Sequence, residues 1–153
     1  MSVSQISIFL ENKTGALNNL TSVLSDNGIN IQAMSVAETS EFGIVRMIVD
    51  DAFDASTYLK DAGYIARVSA VVCATISDEP GSLHRIIDVL NNVGIDVEYM
   101  YAFLGGRKEN HAHIIMKVAD NEKAEAALRK AGFSAVKTDH HKSRPWIAVL
   151  AEK

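Results

Sequence analysis

The residues best placed to do chemistry sit in two short loops of the same design. In the first, Asn12-Lys13-Thr14-Gly15 follows the alternating apolar run Ile6, Ile8, Leu10 and leads straight into Ala16-Leu17. In the second, Asp78-Glu79-Pro80-Gly81 follows Ala74-Thr75-Ile76 and leads into Ser82-Leu83. Each is a strand, a polar loop, a glycine and then a helix with an apolar stripe. Such a junction leaves the first backbone N–H groups of the helix without partners, at the positive end of its dipole, and makes a seat for a carboxylate or phosphate. The chemistry implied is the holding of a small anion.

Other chemistry finds less support. No Ser/His/Asp set, phosphate-binding glycine loop or paired-carboxylate motif is recognisable, so catalysis is not expected. His111 and His113 share one strand face and His140-His141 are adjacent near the C-terminus, but no Cys or carboxylate joins them at the spacing of a zinc motif. Solvated strand-edge histidines are the favoured reading, and neither a metal nor a cofactor is expected. His84 opens the helix after Gly81 and could face a ligand or solvent. The single cysteine, Cys73, lies within an apolar strand and reads as a small core residue in a reducing compartment.

A net charge of −4 and a pI near 5.7, with no long run of Lys or Arg, argue against nucleic acid as a partner. No stretch approaches the apolar length a membrane-spanning helix needs, and the first residues carry no secretion signal. With 48% apolar and 22% charged residues, the expectation is a soluble, cytoplasmic, globular protein.

The elements that must position the loops can be read in order. Val3 to Leu10 alternates as a half-buried strand; Leu17, Leu20, Val23 and Leu24 have helical spacing, and Gly28 follows as a left-handed cap. Ile29 to Ala33 is a second strand, Glu38 to Glu41 a polar turn and Ile44 to Val49 a third strand. Asp54 is positioned to cap a second helix bearing Ala55, Tyr58, Leu59 and Ala62, closed by Gly63, and Tyr64 to Val68 is a fourth strand. The order is βαββαβ.

The same order then recurs. Aligning Gly15 with Gly81 brings Leu17, Val23, Leu24, Gly28, Ile29 and Met34 onto identical residues at Leu83, Val89, Leu90, Gly94, Ile95 and Met100. After a longer hairpin at Leu104 to Asn110, Met47, Val49, Leu59, Ala62 and Gly63 match Met116, Val118, Leu128, Ala131 and Gly132. The repeat divides the chain into units at residues 1–69 and 70–139, leaving a tail at 140–153 in which Trp146 to Leu150 reads as an extra strand.

A βαββαβ unit whose first loop ends Gly-Ala-Leu or Gly-Ser-Leu, followed by Gly-Ile-Asn-Ile (residues 28–31) or Gly-Ile-Asp-Val (residues 94–97), resembles the ACT domain family. The pair resembles the stand-alone tandem ACT proteins of bacteria. The resemblance implies an α+β fold of two ferredoxin-like units, their antiparallel sheets covered by helices on one face. It also implies a regulatory function, a free amino acid as ligand, and pairing into a homodimer. Carried over residue by residue, it points to Asn12, Gly15, Ala16 and Leu17, and to Asp78, Gly81, Ser82 and Leu83, as ligand-binding positions. The N–H groups at Gly15, Ala16 and Leu17 would hold the ligand carboxylate, and the Asn12 carbonyl or Asp78 carboxylate would accept from its ammonium. Asp78 and Pro80 replace Asn12 and Thr14, so equal affinity of the two sites is not assumed. The alternative is a pair of ACT units without ligand that serves as a dimerisation or interaction module.

Two physical expectations follow. A side chain at Gly15 or Gly81 would either clash with a bound carboxylate or demand a backbone angle that only glycine takes cheaply. The face of the first sheet bearing Phe9, Ile44 and Ile48 is too apolar to be wholly wet, and a second sheet is expected to cover it.

Overall fold

The computed structural model describes residues 2–38, 41–104 and 111–135. The elements are β1 (Ser2–Glu11), α1 (Ala16–Asp26), β2 (Ile31–Glu38), β3 (Phe42–Val49), α2 (Ala52–Asp61), β4 (Ile65–Ser77), α3 (Ser82–Asn92), β5 (Val97–Leu104), β6 (His111–Val118), α4 (Asn121–Lys130) and β7 (Ser134–Ala135). Two compact units emerge, one spanning Ser4–Ser69 and the other running from Ala70 onward with the start of β1. The fourth strand of the first repeat and the first strand of the second are one continuous element, β4. The extra strand expected at Trp146 to Leu150, His140-His141, and most of the hairpin at Leu104 to Asn110 lie outside the described residues.

In the first unit the strands run β2-β3-β1, with β3 antiparallel to both neighbours. The register sets Ile6 opposite Met47 and Ile8 opposite Val45, so the alternating residues of the two strands fall on one face. That face meets Leu20 and Leu24 of α1 and Ala55 and Leu59 of α2 in a core closed to solvent. Each fully buried Leu or Ile there is worth about 1.5–3 kcal/mol relative to exposure. The second unit repeats the plan in the order β7-β4-β6-β5, with Val72, Ala74, Ile114, Met116 and Val118 under Ile86, Leu90, Ala124 and Leu128. The ferredoxin-like α+β architecture is as the sequence implied.

Three local expectations need correction. The second strand begins at Ile31, because Ile29 N–H is spent on the Leu24 carbonyl in the helix cap and Asn30 N–H on the Asp50 carboxylate. It then runs on to Glu38, held by pairing with β3 along its length. The cap of α2 is Asp51, whose carboxylate accepts from Asp54 N–H at 2.9 Å; Asp54 itself is in the first turn. Asp120 caps α4 in the same way through Lys123 N–H. Leu17 does not join the buried stripe of α1, which consists of Ala16, Leu20 and Leu24.

The sheet faces turned from the helices are buried in part, with Ile44 and Arg46 half-buried in the first unit. Ile48 is 2% exposed, whereas Phe9 remains 54% exposed and leans its ring on Phe42, with centroids 6.4 Å apart. In the second unit Cys73, His113 and Ile115 are all buried on that face. His113 is therefore not the solvated histidine expected: its Nδ1 lies 3.0 Å from the Thr75 hydroxyl directly across the β4–β6 pair.

Burial pushes the Cys73 thiol up to about 12 from an ordinary value of 9.0, because a thiolate there would be stripped of water. The thiolate fraction at pH 8 is then about 1000-fold lower than in an exposed cysteine. An aromatic disulfide reagent should leave the native protein untouched at pH 8 and titrate one thiol per chain in guanidinium. As the pH rises from about 9 towards 12 only the unfolded chain ionises, so Cys73 lowers stability in that window. An unfolding midpoint that does not fall from pH 8 to 10 more in the wild type than in Cys73→Ala would contradict this.

Candidate functional site: the junction loops and their clefts

The two junctions are built alike. Gly15 and Gly81 stand at the N-caps of α1 and α3 with φ of 86° in both, the left-handed region that glycine enters without penalty. The N-cap of each helix is a glycine, with no side chain of its own to close the first turn. The Ala16 N–H turns back to the Lys13 carbonyl at 3.2 Å, and the Ser82 N–H to that of Glu79 at 3.1 Å. The helical ladder begins with Asn19 N–H to the Gly15 carbonyl and Arg85 N–H to that of Gly81. Among the described residues, no backbone carbonyl accepts from the N–H groups of Gly15, Leu17 and Asn18, or from those of Gly81, Leu83 and His84. Of the expected donors Gly15, Ala16 and Leu17, only the Ala16 N–H is taken up by the loop.

In the first unit a cavity of about 370 Å³ opens beside the junction. Phe9, Leu10 and Glu11 from the end of β1, Lys13 from the loop, and Ala16 and Asn19 from α1 form one side. Phe42 and the turn Gly63-Tyr64-Ile65 form the other. Of the four positions expected here, only Ala16 lines it; Asn12 is exposed, with its N–H on the Glu41 carbonyl, Gly15 sits at the cap, and Leu17 is 38% exposed. Glu11 and Lys13 bring opposite charges to the rim, their Oε2 and Nζ 2.5 Å apart. The hydrogen bond and charge of Glu11 hold the Lys13 ammonium pKa above its ordinary value. Both side chains are mostly exposed, so the pair adds little to stability and exchanges partners readily.

The second unit has its cleft at the equivalent place, about 400 Å³, between α3 and the turn Ala131-Gly132-Phe133. None of Asp78, Gly81, Ser82 and Leu83 lines it. Ser82 is instead 1% exposed, sharing a hydrogen bond with the Ser77 hydroxyl at 2.8 Å and accepting one from Arg85 Nη2 at 3.0 Å. Asp78 and Leu83 are exposed at the surface. His84 is exposed as well.

Glu11, Lys13 and Tyr64, which line the cavity of the first unit, and Arg85, which lines the cleft of the second, are not among the positions expected from the sequence. A signal was available in the Ala-Gly-aromatic turn that repeats as Ala62-Gly63-Tyr64 and Ala131-Gly132-Phe133. Among the described residues no group of histidine, cysteine or carboxylate side chains could hold a metal ion, and no helix is long and apolar enough to cross a membrane.

A family model described as an ACT domain pair matches residues 1–141. Among solved structures, a protein from Bacteroides thetaiotaomicron is similar at 33% identity and a TM-score of 0.85, over 92% of this chain and 95% of that one. The regulatory subunit of aspartate kinase from Thermus thermophilus, in a ligand-free form, shares the fold at 19% identity and a TM-score of 0.64, over 84% and 90% of the two chains. The corresponding subunit from Thermus flavus does so at 16% identity and 0.60, over 84% and 92%. Comparison with curated proteins finds no match.

No atom lies within 4 Å of a Cβ built at Gly15 or Gly81, so the folded chain penalises a side chain there only through the backbone angle. Gly15→Ala and Gly81→Ala should each lower stability by about 1–2 kcal/mol, the cost of a left-handed L-residue. Urea unfolding of each variant checks this; a loss beyond about 3 kcal/mol would mean a clash that the open space excludes.

Proposed function

We propose that this chain, which belongs to the family of ACT domain pairs, is a regulatory protein that binds a free amino acid beside the strand-loop-helix junction of its first unit and at the equivalent place in its second. ACT domains are regulatory modules, and no enzymatic role is proposed. That two proteins of like fold are named as regulatory subunits of aspartate kinase accords with control rather than turnover.

The observation that carries the reading is the cavity of the first unit, which joins opposite charges to an apolar wall next to a helix start. A free amino acid needs donors for its carboxylate and an acceptor for its ammonium a short distance apart. Lys13 supplies the first and Glu11 the second, both on the rim of the cavity. The ligand enters by exchanging the Lys13–Glu11 contact for two of its own. Leu10, Phe9 and Tyr64 offer apolar contact to its side chain. Because the cavity bridges α1 and the turn after α2, a bound ligand ties these elements together, which is the physical basis for a regulated response.

Binding to the folded chain raises its stability by about 2.7 kcal/mol at a ligand concentration 100 times Kd. Thermal melts against the standard amino acids should therefore show at least one that raises Tm, and calorimetric titration gives its affinity. Lys13→Ala should weaken that binding by ~10-fold or more, about 1.4 kcal/mol, with an unchanged circular dichroism spectrum. If no amino acid binds the wild type, the interaction-module reading takes its place.

A further inference from the structure

The four helices of the described residues end on the same cap, and one of these caps carries a reactive pair. Gly28, Gly63, Gly94 and Gly132 follow the last residues of α1, α2, α3 and α4 with φ of 71°, 88°, 68° and 86°. In each, the next N–H returns to a buried leucine of the last turn: Ile29 to Leu24, Tyr64 to Leu59, Ile95 to Leu90 and Phe133 to Leu128. The residue before the glycine is Ala62, Val93 or Ala131 in three of them, so the cap asks nothing of that side chain. In the first it is Asn27. We propose that Asn27-Gly28 is a self-modifying site, at which the chain deamidates through a cyclic imide, and that the folded cap of α1 holds the reaction off until the cap opens. The proposal is independent of any ligand.

The reaction needs only the chain and water. The Gly28 nitrogen gives its proton to hydroxide and attacks Asn27 Cγ, the bond from Cγ to Nδ2 breaks, and ammonia leaves. The five-membered imide that results then takes up one water. Opening at Cγ gives aspartate; opening at the main-chain carbonyl gives isoaspartate, in which the chain runs on through the former side chain. An amide is exchanged for an acid, and nothing is oxidised or reduced. Glycine hinders the attack least, because no Cβ stands beside its nitrogen and its backbone turns most freely. The other asparagines of the sequence are each followed by a residue with a side chain. Asn27 and Gly28 are both exposed, so hydroxide and water reach them.

The folded cap opposes the attack. Asn27 has ψ of 9°, which eclipses the Gly28 nitrogen with Asn27's own backbone nitrogen and turns it away from the side chain it must reach. The Gly28 N–H is engaged by the Ser25 carbonyl at 3.0 Å, and Asn27 Nδ2 donates to the Val23 carbonyl at 2.8 Å. Ile29, next in the chain, packs on the core of the unit and ties the cap down. Attack therefore requires the last turn of α1 to open, a local event that costs less than global unfolding. The products do not restore the cap. Isoaspartate adds a main-chain carbon between Leu24 and Ile29 and throws their 2.9 Å hydrogen bond out of register. Aspartate sets a charge beside Asp26 at the negative end of the helix dipole. With Val93 at the matching position, the second unit is left unaltered.

The test incubates the full-length chain at mildly alkaline pH in heavy-oxygen water, native and in urea. Peptide mass spectrometry locates each converted asparagine, and an isoaspartyl methyltransferase counts the isoaspartate. Asn27 should convert ahead of every other asparagine, with heavy oxygen in its new carboxylate, and at least ~10-fold more slowly in the native chain than in urea. Ile29→Ala loosens the cap without touching the reacting atoms; it should speed the native reaction by ~10-fold and leave the rate in urea unchanged. In the wild type the rate should climb with urea already below the unfolding midpoint, which keeps the test open if Ile29→Ala fails to fold. Asn27→Val, the residue of the second unit, should abolish the isoaspartyl signal with an unchanged circular dichroism spectrum. Equal rates in the native chain and in urea, or a folded Ile29→Ala that reacts no faster than the wild type, would overturn the control by the cap. Conversion of another asparagine ahead of Asn27 would overturn the site itself.

Discussion

The backbone angle at Gly15 and Gly81 governs how each unit is assembled around its working edge. At φ 86° the chain leaves a strand and enters a helix within a few residues, and only glycine does this without strain. The consequence is a difference between the helices of each unit. The second ones, α2 and α4, start from an extended aspartate whose side chain closes the first turn. The first ones, α1 and α3, start from the left-handed glycine with no side chain to close it, and their early N–H groups are left for something else to satisfy.

Those uncapped starts are held in place by cores that are close copies of each other. Leu20 and Leu24 in one unit, and Ile86 and Leu90 in the other, anchor the first helix to the alternating face of the sheet. With the helix fixed by burial, the turn after the second helix comes to lie beside it, and a cleft results between the two. A duplicated scaffold thus yields duplicated clefts without any residue being selected for that purpose.

What differs is the chemistry around them. The first unit places its charges on a mobile-length side-chain pair at the loop, where exposure makes exchange easy. The second gives the loop to a hydroxyl pair, Ser77 and Ser82, that closes the junction from within and aligns Arg85. Scaffold residues match across the repeat while the residues beside the two clefts do not.

The sequence alone determined the repeat, the βαββαβ order, the helix-covered faces and the glycine junctions, because each is a local or periodic property: alternation of two, a helical stripe, a residue type that tolerates positive φ. It misplaced the start of β2 and the cap of α2, where several residues of similar type compete and only the hydrogen bonds decide: Asn30 went to Asp50, and Asp51 rather than Asp54 closed the turn. It found the junctions but not their clefts. Ala16 was named and Lys13, Tyr64 and Arg85 were not, since the far wall comes from a turn distant in sequence and a side chain's direction is set by what it meets there. His113 makes the same point: on paper it is one of two histidines on a strand edge, and only the pairing with β4 puts it against Thr75, out of water. Tertiary structure decided these because burial and partner choice depend on contacts between segments, which no spacing along the chain records.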